Sequence, residues 1–284
     1  MISHLNGELR LLKDKNIKTI IKLVERILQK EKCDYEKLYF EDHQINMCKK
    51  RLRGEHISID EYVEGLLWSQ LSAQRVWEYL VEKEEIIDEI FTQYEYEKLL
   101  LLAKESRKLT KQLLAVGAGN RMIHNQMKYL RKNLIKLPEL YELIESEYLI
   151  SLSREEMIGL GEKYIQMISY PQSEYKLMFV GPALAGEFLK NIGISVVKMD
   201  THLLRILSQE RLGIISCKNE KVSHSEKVQA VREFHAFAKN YSDDIADIIY
   251  LDLLFWKLCA KKQANICGKE PKCEKCLLKK ICNR

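Results

Sequence analysis

The chain has 284 residues, of which 46% are hydrophobic and 31% are charged, so it can bury one large core or the cores of two domains. Glycine and proline together account for only 16 residues, under half of the usual share of about 12%, which excludes collagen-like and disordered low-complexity chains. This composition favours long uninterrupted helices.

The sequence predicts neither a secretion signal nor a membrane span. Met1–His4 contains no apolar signal core, and the most apolar stretch, 246–260, carries three charged residues and is shorter than the roughly 20 residues that a span needs. We therefore expect a soluble, intracellular protein, cytoplasmic or associated with the nucleoid, that has no membrane partner.

Positive charge is concentrated at the carboxyl-terminal end. The net charge of the whole chain is +5, but residues 261–284 contain eight Lys or Arg and only two Glu, which leaves −1 on the other 260 residues. Such a basic segment indicates either a contact with a polyanion or simply a solvated terminus.

Apolar residues that recur at three- and four-residue steps predict helices along the whole chain, beginning with an amphipathic helix over 17–28. Ser-x-x-Glu capping boxes predict helices that begin after Ser58, Ser153 and Ser223 and continue to about 76, 169 and 239. Further helices are predicted at about 84–104, 106–116, 119–135, 138–148 and 243–262, the last capped by Ser242. No alternating strand of useful length is found, so the predicted fold class is all-α.

A helical hairpin is predicted over 172–192, with a short first helix, a tight turn at 179–182 and a second helix. Pro182 suits the first position of a helix, and Gly193 suits the left-handed residue that ends one. A helix that begins behind a glycine turn offers free N–H groups and a positive dipole end to a phosphate, although many such turns serve packing alone. Lys176 and Lys190, on either side of the turn, are expected on solvated helix faces.

Asp200 precedes the next predicted helix, in the segment Val197–His202. An aspartate in this place is ordinarily a helix N-cap. By the residues alone, His202 is expected to be structural and Lys198 to face solvent.

Four cysteines lie in the last 18 residues with the spacing C-x5-C-x2-C-x5-C: Cys267, Cys273, Cys276 and Cys282. Four thiolates suit either Zn²⁺ or an iron–sulfur cluster, and one short knuckle flanked by two longer arms favours the cluster over zinc. The remaining cysteines are scattered among helical patterns and are expected to be core thiols.

Together these segments resemble the helix-hairpin-helix DNA glycosylases related to endonuclease III. A hairpin, an Asp-Thr-His at 200–202 and a carboxyl-terminal four-cysteine run follow one another in that family in the same order. Residues 70–74, QLSAQ, are similar to the family's Leu-Ser-Ala-Gln segment, and residues 116–121, VGAGNR, are similar to its Val-Gly and Asn-Lys segment. The resemblance covers about residues 58–284.

The resemblance implies a six-helix barrel over 58–193, with the hairpin at 172–192, and a second helical domain made from 1–57 and 194–284. The second domain would carry a [4Fe-4S] loop at 267–282. A cleft between the domains would hold double-stranded DNA with a damaged base flipped out of the stack, and the protein would be a monomer.

By the same resemblance, Asp200 is the catalytic carboxylate, which stabilises the oxocarbenium charge that develops on the sugar and can orient or deprotonate water. Gln74 would help to fill the gap left by the flipped nucleotide. The hairpin around Val180, Gly181 and Ala183 would hold a backbone phosphate, and the cluster would hold the Lys-rich loop against DNA.

The chain departs from the family pattern at the hairpin. Ala183 stands where bifunctional members carry the lysine that forms a Schiff base, and alanine supplies no amine nucleophile. We therefore expect a monofunctional glycosylase that leaves an abasic site. Phe179 replaces the usual first glycine of the hairpin, and the first cysteine arm is one residue shorter than the commonest form.

The expected substrate is an alkylated or oxidised purine. Trp68 occupies the place of the glutamate of the adenine-removing branch, so that activity is not expected; its ring could stack on a cationic base, worth ~1–2 kcal/mol, or belong to the core. Tyr175, like Tyr164 and Tyr170, could line the base pocket or only pack. The alternatives are a glycosylase and abasic-site lyase acting on damaged pyrimidines through another lysine, such as Lys198, or a non-catalytic DNA-binding module.

Overall fold

The computed structural model describes residues 16–148 and 152–284, and all regular secondary structure in these ranges is helical. The predicted all-α class is therefore confirmed. The expectation for Met1–His4 lies outside the described residues. No helix in the described ranges is both long enough and apolar enough to cross a membrane.

The chain divides into two compact units. One, here called the terminal unit, contains the described residues up to Ile45 together with Val196–Arg284, and the other, the central unit, is Asn46–Ser195. The boundaries expected from the sequence, at 57 and 193, differ from these mainly at the first. Arg51 explains the difference, because its guanidinium is buried in the central unit and donates to the Ile192 carbonyl at 3.0 and 3.1 Å.

The helices of the terminal unit are α1 (Ile17–Lys30), α2 (Leu38–Glu41), α12 (Thr201–Leu207), α13 (His224–Ala238), α14 (Asp247–Cys259) and a 3₁₀ turn at Leu277–Lys280. The unit is built around the apolar helix α14, which packs against α1, α12 and α13. Its core side chains include Val24, Phe234 and Phe255, all fully buried.

The helices of the central unit are α3 (His43–Leu52), most of which belongs to it, α4 (Ile59–Leu71), α5 (Glu78–Val81), α6 (Glu84–Ile90), α7 (Tyr96–Leu102), α8 (Ser106–Ala115), α9 (Ile123–Glu147), α10 (Arg154–Ser169) and α11 (Pro182–Asn191), with 3₁₀ turns at Thr92–Tyr94 and Ala103–Glu105. Helix α11 packs against α4 and α10, while α9 packs against α4 and α8. The six-helix barrel remains a prediction.

All three predicted capping boxes are present. At Ser58, Ser153 and Ser223 the serine hydroxyl accepts the backbone N–H of the glutamate three residues on, and that glutamate accepts the serine N–H. Each box satisfies two of the donors that a helix leaves without partners at its start. The helices begin where the local sequence places them because these bonds need no distant residue.

One long helix, α9, replaces the two helices predicted at 119–135 and 138–148. Pro138 lies inside it and has no N–H to donate to the carbonyl of Leu134. The hydroxyl of Tyr96 donates to that carbonyl at 3.2 Å instead. The orphaned carbonyl is satisfied from another helix, so α9 continues through the proline.

Three other helix predictions need correction. The prediction of a first helix in the hairpin is wrong, because residues 171–181 form turns. Only the second helix, α11, is present. The helix predicted over 84–104 is broken into α6, a 3₁₀ turn and α7. Ser242 accepts the N–H of Asp244 at 2.9 Å and does not cap α14, which begins at Asp247.

Gly193 ends α11 in the left-handed conformation, with a φ of +79°. The N–H groups of Gly193 and Ile194 donate to the Lys190 and Leu189 carbonyls at 3.0 and 2.9 Å, as in a Schellman motif. A Cβ at Gly193 would lie 2.5 Å from the carbonyl oxygen of Met47. Both the backbone conformation and the neighbouring chain therefore require glycine.

Replacing Gly193 with alanine tests this constraint. We expect Gly193→Ala to lower the free energy of unfolding by about 2 kcal/mol, because it combines a left-handed alanine with a backbone clash. The matched control is Gly159→Ala in α10, where a Cβ meets no atom within 4 Å and the helix should gain about 0.5–1 kcal/mol. Denaturant titration measures both, and a Gly193→Ala variant as stable as the parent would contradict the account.

Candidate functional site

Asp200 is the N-cap of α12 in the terminal unit, with φ −91° and ψ −175°. Its Oδ1 atom accepts the N–H groups of His202 at 2.7 Å and Leu203 at 3.2 Å. The prediction that this aspartate is a helix N-cap is therefore confirmed.

The cap occupies only one oxygen of the carboxylate. Within the described residues, Oδ2 of Asp200 accepts no hydrogen bond, and the side chain is partly exposed. A carboxylate held through one oxygen, with the other available, can place a negative charge next to a bound group. The helix cap and a catalytic role are thus compatible in the same residue.

No side chain in 16–148 or 152–284 forms a direct ion pair with Asp200. Burial lowers the pKa of His202, and the negative charge of Asp200 opposes this shift. The net lowering favours the neutral imidazole at pH 7. The ring's Nδ1 is buried and makes no hydrogen bond with any described residue. Arg205, on the same helix, pairs with Glu220 at 3.3 Å.

The hairpin turn lies in the central unit. It contains a left-handed residue at position 179, where phenylalanine replaces the usual glycine. Phe179 has a φ of +61°, whereas Gly181 has a φ of −89° and caps α11. The ring of Phe179 lies against Tyr129, with the two centroids 5.3 Å apart. This contact offsets part of the roughly 1–2 kcal/mol that a left-handed non-glycine residue costs.

The turn presents three unused backbone donors. The N–H groups of Gly181, Ala183 and Leu184 donate to no group among the described residues, and a Cβ at Gly181 would meet nothing within 4 Å. Val180 is different, because its N–H donates to the Leu177 carbonyl at 3.2 Å and its side chain is buried. Of the hairpin residues singled out in the sequence, Gly181 and Ala183 therefore offer free donors and Val180 offers none.

Two side chains hold the turn in place, and sequence reasoning missed one of them, Asn133, and gave the other, Lys176, a different role. Asn133 of α9 is buried; its Nδ2 donates to the Met178 carbonyl at 3.0 Å, and its Oδ1 accepts the Met178 N–H at 2.7 Å. Lys176 donates from Nζ to the Val180 carbonyl. The available signal was a polar residue, Asn133, on the mostly apolar face of α9, which also carries the buried Gln126.

The expectation that Lys176 and Lys190 lie on solvated faces is wrong. Lys190 is 2% exposed and forms an ion pair with Glu187, one turn away on α11, at 3.3 Å. Lys176 is partly buried, and burial lowers its pKa to about 8. A lysine of this kind carries a useful fraction of neutral amine at pH 7–8.

The two other segments of the resemblance come together in the central unit. Asn120 donates from Nδ2 to the Gln70 carbonyl at 2.9 Å, and Arg75 donates to the Gly117 carbonyl. Gln74, just beyond α4, is exposed and has a φ of +56°. Its side chain makes no hydrogen bond with any described residue and is therefore free to contact a ligand.

The two candidate base-pocket residues have different surroundings. Trp68 is 7% exposed, packs edge-on against Trp77 with centroids 5.4 Å apart, and donates its indole N–H to the Tyr94 hydroxyl. Its ring is part of the core in this structure and offers no free face. Tyr175 is partly buried and near the hairpin turn, with its N–H donated to Ser173 Oγ at 3.2 Å.

The four carboxyl-terminal cysteines lie in the terminal unit and influence one another. Burial, with a smaller contribution from the charges of Cys267, Cys282 and Cys273, raises the pKa of Cys276 to about 11. A hydrogen bond from Cys259 lowers the pKa of Cys267 to about 7, assisted by nearby arginines. Within residues 16–148 and 152–284, no three His, Cys, Asp or Glu side chains are grouped as they would be around a single metal ion.

The basic segment that contains these cysteines is largely exposed. Seven of the eight Lys and Arg residues in 261–284 are exposed, and Lys272 is intermediate. Lys275 pairs with Glu31 of α1 at 3.4 Å. The positive charge is therefore on the surface of the terminal unit, where it can act on a polyanion.

Comparison of the chain with models of protein families, with curated proteins and with solved structures finds no match in any of the three.

Proposed function

We propose that this chain is a DNA glycosylase that removes a damaged base with Asp200 as its catalytic carboxylate. The observation that carries the proposal is the geometry of Asp200, whose Oδ1 is fixed by two backbone N–H groups while Oδ2 accepts no hydrogen bond from the described residues. The order of hairpin, Asp-Thr-His and cysteine run, which resembles that of the endonuclease III-related glycosylases, supports the same function.

The chemistry follows from the charge that develops when an N-glycosidic bond breaks. The departing base takes the bonding electron pair, and the sugar acquires oxocarbenium character. A fixed carboxylate next to C1′ stabilises that cation more than it stabilises the neutral substrate, which is the condition for catalysis. Water then adds to C1′ and loses a proton, which gives an abasic site.

Binding of the DNA backbone is assigned to the hairpin. The free N–H groups of Gly181, Ala183 and Leu184, at the positive end of the α11 dipole, suit one phosphate. Gln74 has an exposed side chain with both a donor and an acceptor, which suits the space left by an extruded nucleotide. The exposed basic segment adds attraction that does not depend on sequence.

The monofunctional mechanism is preferred because Ala183 supplies no amine. One observation favours the lyase alternative: Lys176 donates to the Val180 carbonyl of the hairpin and has a pKa of about 8. The substrate is proposed to be an alkylated or oxidised purine, with damaged pyrimidines as the alternative. Because Trp68 is packed in the core, it gives no support to a preference for cationic bases.

The catalytic assignment is tested with a panel of duplexes that each contain one alkylated purine, oxidised purine or damaged pyrimidine. Wild-type protein should release a base from at least one of them and nick the strand only after alkali. Asp200→Asn should slow release by about 100-fold or more, because the charge is lost. Its melting temperature should stay unchanged, since asparagine is an equally good N-cap, whereas Asp200→Ala should lose about 1 kcal/mol of stability.

Each other outcome identifies which part of the proposal fails. Equal activity of Asp200→Asn would overturn the catalytic role, and DNA binding without release from any lesion would favour the non-catalytic module. Trapping of the wild-type protein on DNA by borohydride would overturn the monofunctional mechanism. In that case, loss of trapping in Lys176→Ala, but not in Lys198→Ala, would identify the amine.

The cysteine run is proposed to hold a [4Fe-4S] cluster, with zinc as the alternative. The support is the chemistry of the donor set, since four thiols with this spacing are ligands that an iron–sulfur cluster takes, while the side chains are not gathered around one point among the described residues. Cys267, Cys273, Cys276 and Cys282 would be the ligands. When bound, the cluster would cross-link a loop that has few apolar residues of its own.

Metal analysis of the purified full-length chain distinguishes the two. We expect iron and acid-labile sulfide in equal amounts and a broad visible absorption band, all lost in Cys276→Ser. Cys217→Ser is the matched control, because this buried thiol lies outside the run and should leave the iron content unchanged. Zinc in place of iron would overturn the cluster, and a chain that binds neither metal would overturn both versions.

A further inference from the structure

A buried aspartate lies beneath the segment that leads to Asp200. Asp252, in the middle of the apolar helix α14, is 1% exposed. Its Oδ2 accepts the backbone N–H of Lys198 at 2.7 Å. A carboxylate in such a place is costly unless it is hydrogen-bonded, so this contact accounts for part of its presence in the core.

The segment that leads to Asp200 is buried and lies outside regular secondary structure. Val196, Val197 and Met199 are fully buried, and residues 196–200 belong to no helix. Buried N–H groups outside regular structure need an internal acceptor. For Lys198 that acceptor is the side chain of Asp252.

The bond to Lys198 is the first of a series that ends at the Asp200 carboxylate. The Lys198 carbonyl accepts the N–H of Asp200 at 2.7 Å. Asp200 then accepts from His202 and Leu203 through Oδ1, and its own carbonyl accepts the N–H of Leu204 at 2.9 Å. Asp200 is therefore fixed on one side by α12 and on the other by a loop that is attached to α14.

From this series we infer that Asp252 is a positioning residue for Asp200. It anchors Lys198 to α14 and thereby sets where the backbone of Asp200 enters α12 and where Oδ2 is directed. The inference rests on the proposed function, since it gives a role to Asp252 only if Asp200 is catalytic. Displacement of a reacting group by about 1 Å can cost about 100-fold in rate, so a fixed anchor at this point has a kinetic consequence.

The test compares two substitutions of Asp252 with one of Asp247. Asp252→Asn keeps an acceptor for the Lys198 N–H and should retain kcat for base release within about threefold, whereas Asp252→Leu should lose about 100-fold in kcat with KM unchanged. Asp247→Leu removes another buried carboxylate from α14 and controls for loss of stability. Hydrogen exchange of the Lys198 and Asp200 amides in the full chain should be slow in wild type and Asp252→Asn and fast in Asp252→Leu.

The outcomes separate this inference from the proposed function. If Asp200→Asn is inactive but Asp252→Leu is as active as Asp247→Leu, the positioning role is overturned and the catalytic role stands. If wild type releases no base, the proposed function fails, while hydrogen exchange still reports on the anchor. Should Asp252→Leu not fold, fast exchange of the Lys198 amide in the wild-type chain would by itself overturn the inference.

Discussion

The two hydrogen bonds that Asp200 accepts through Oδ1 at the start of α12 are the constraint on which the functional account depends. They supply an acceptor for the N–H groups of His202 and Leu203 in the first turn of the helix. They also hold the carboxylate so that the cap does not use Oδ2. In the proposed mechanism the helix cap uses one oxygen of this carboxylate, and the other oxygen faces the charge that develops on the sugar.

The hairpin in the central unit shows how a backbone shape persists when its usual residue is absent. Phe179 adopts the left-handed conformation that glycine would adopt at lower cost, and Asn133, Lys176 and Tyr129 hold the turn around it. The result is that the amides of Gly181 and Ala183 are left open, while those of Val180 and Met178 are used internally. Of the side chains that hold the turn, Asn133 and Tyr129 lie far from it in sequence, whereas Lys176 lies next to it.

Much of the helical framework could be predicted from the sequence because its signals are local. Capping boxes at Ser58, Ser153 and Ser223 fix helix starts through residues three positions apart, and Gly193 marks a helix end for the same reason. Pro138 misled the prediction, because the Tyr96 hydroxyl that satisfies the Leu134 carbonyl comes from another helix.

At the candidate site the N-cap role of Asp200 was predictable, but its surroundings were not. Asn133, Lys176 and Asp252 act through contacts between residues 4–54 positions apart, and no short pattern marks them. Lys190 looked solvated by its charge, yet Glu187 pairs with it in the core. The turn at Thr92–Tyr94, with positive φ at three successive non-glycine residues, likewise has no sequence signal.

The most direct test of the central claim is the affinity of the protein for duplex DNA that carries a cationic pyrrolidine in place of one deoxyribose. The neutral tetrahydrofuran analogue in the same duplex is the reference. If Asp200 stabilises positive charge on the sugar, the wild-type protein should bind the cationic duplex about tenfold or more tightly than the neutral one, and Asp200→Asn should bind both alike. Equal affinity of the wild-type protein for the two duplexes would contradict the account.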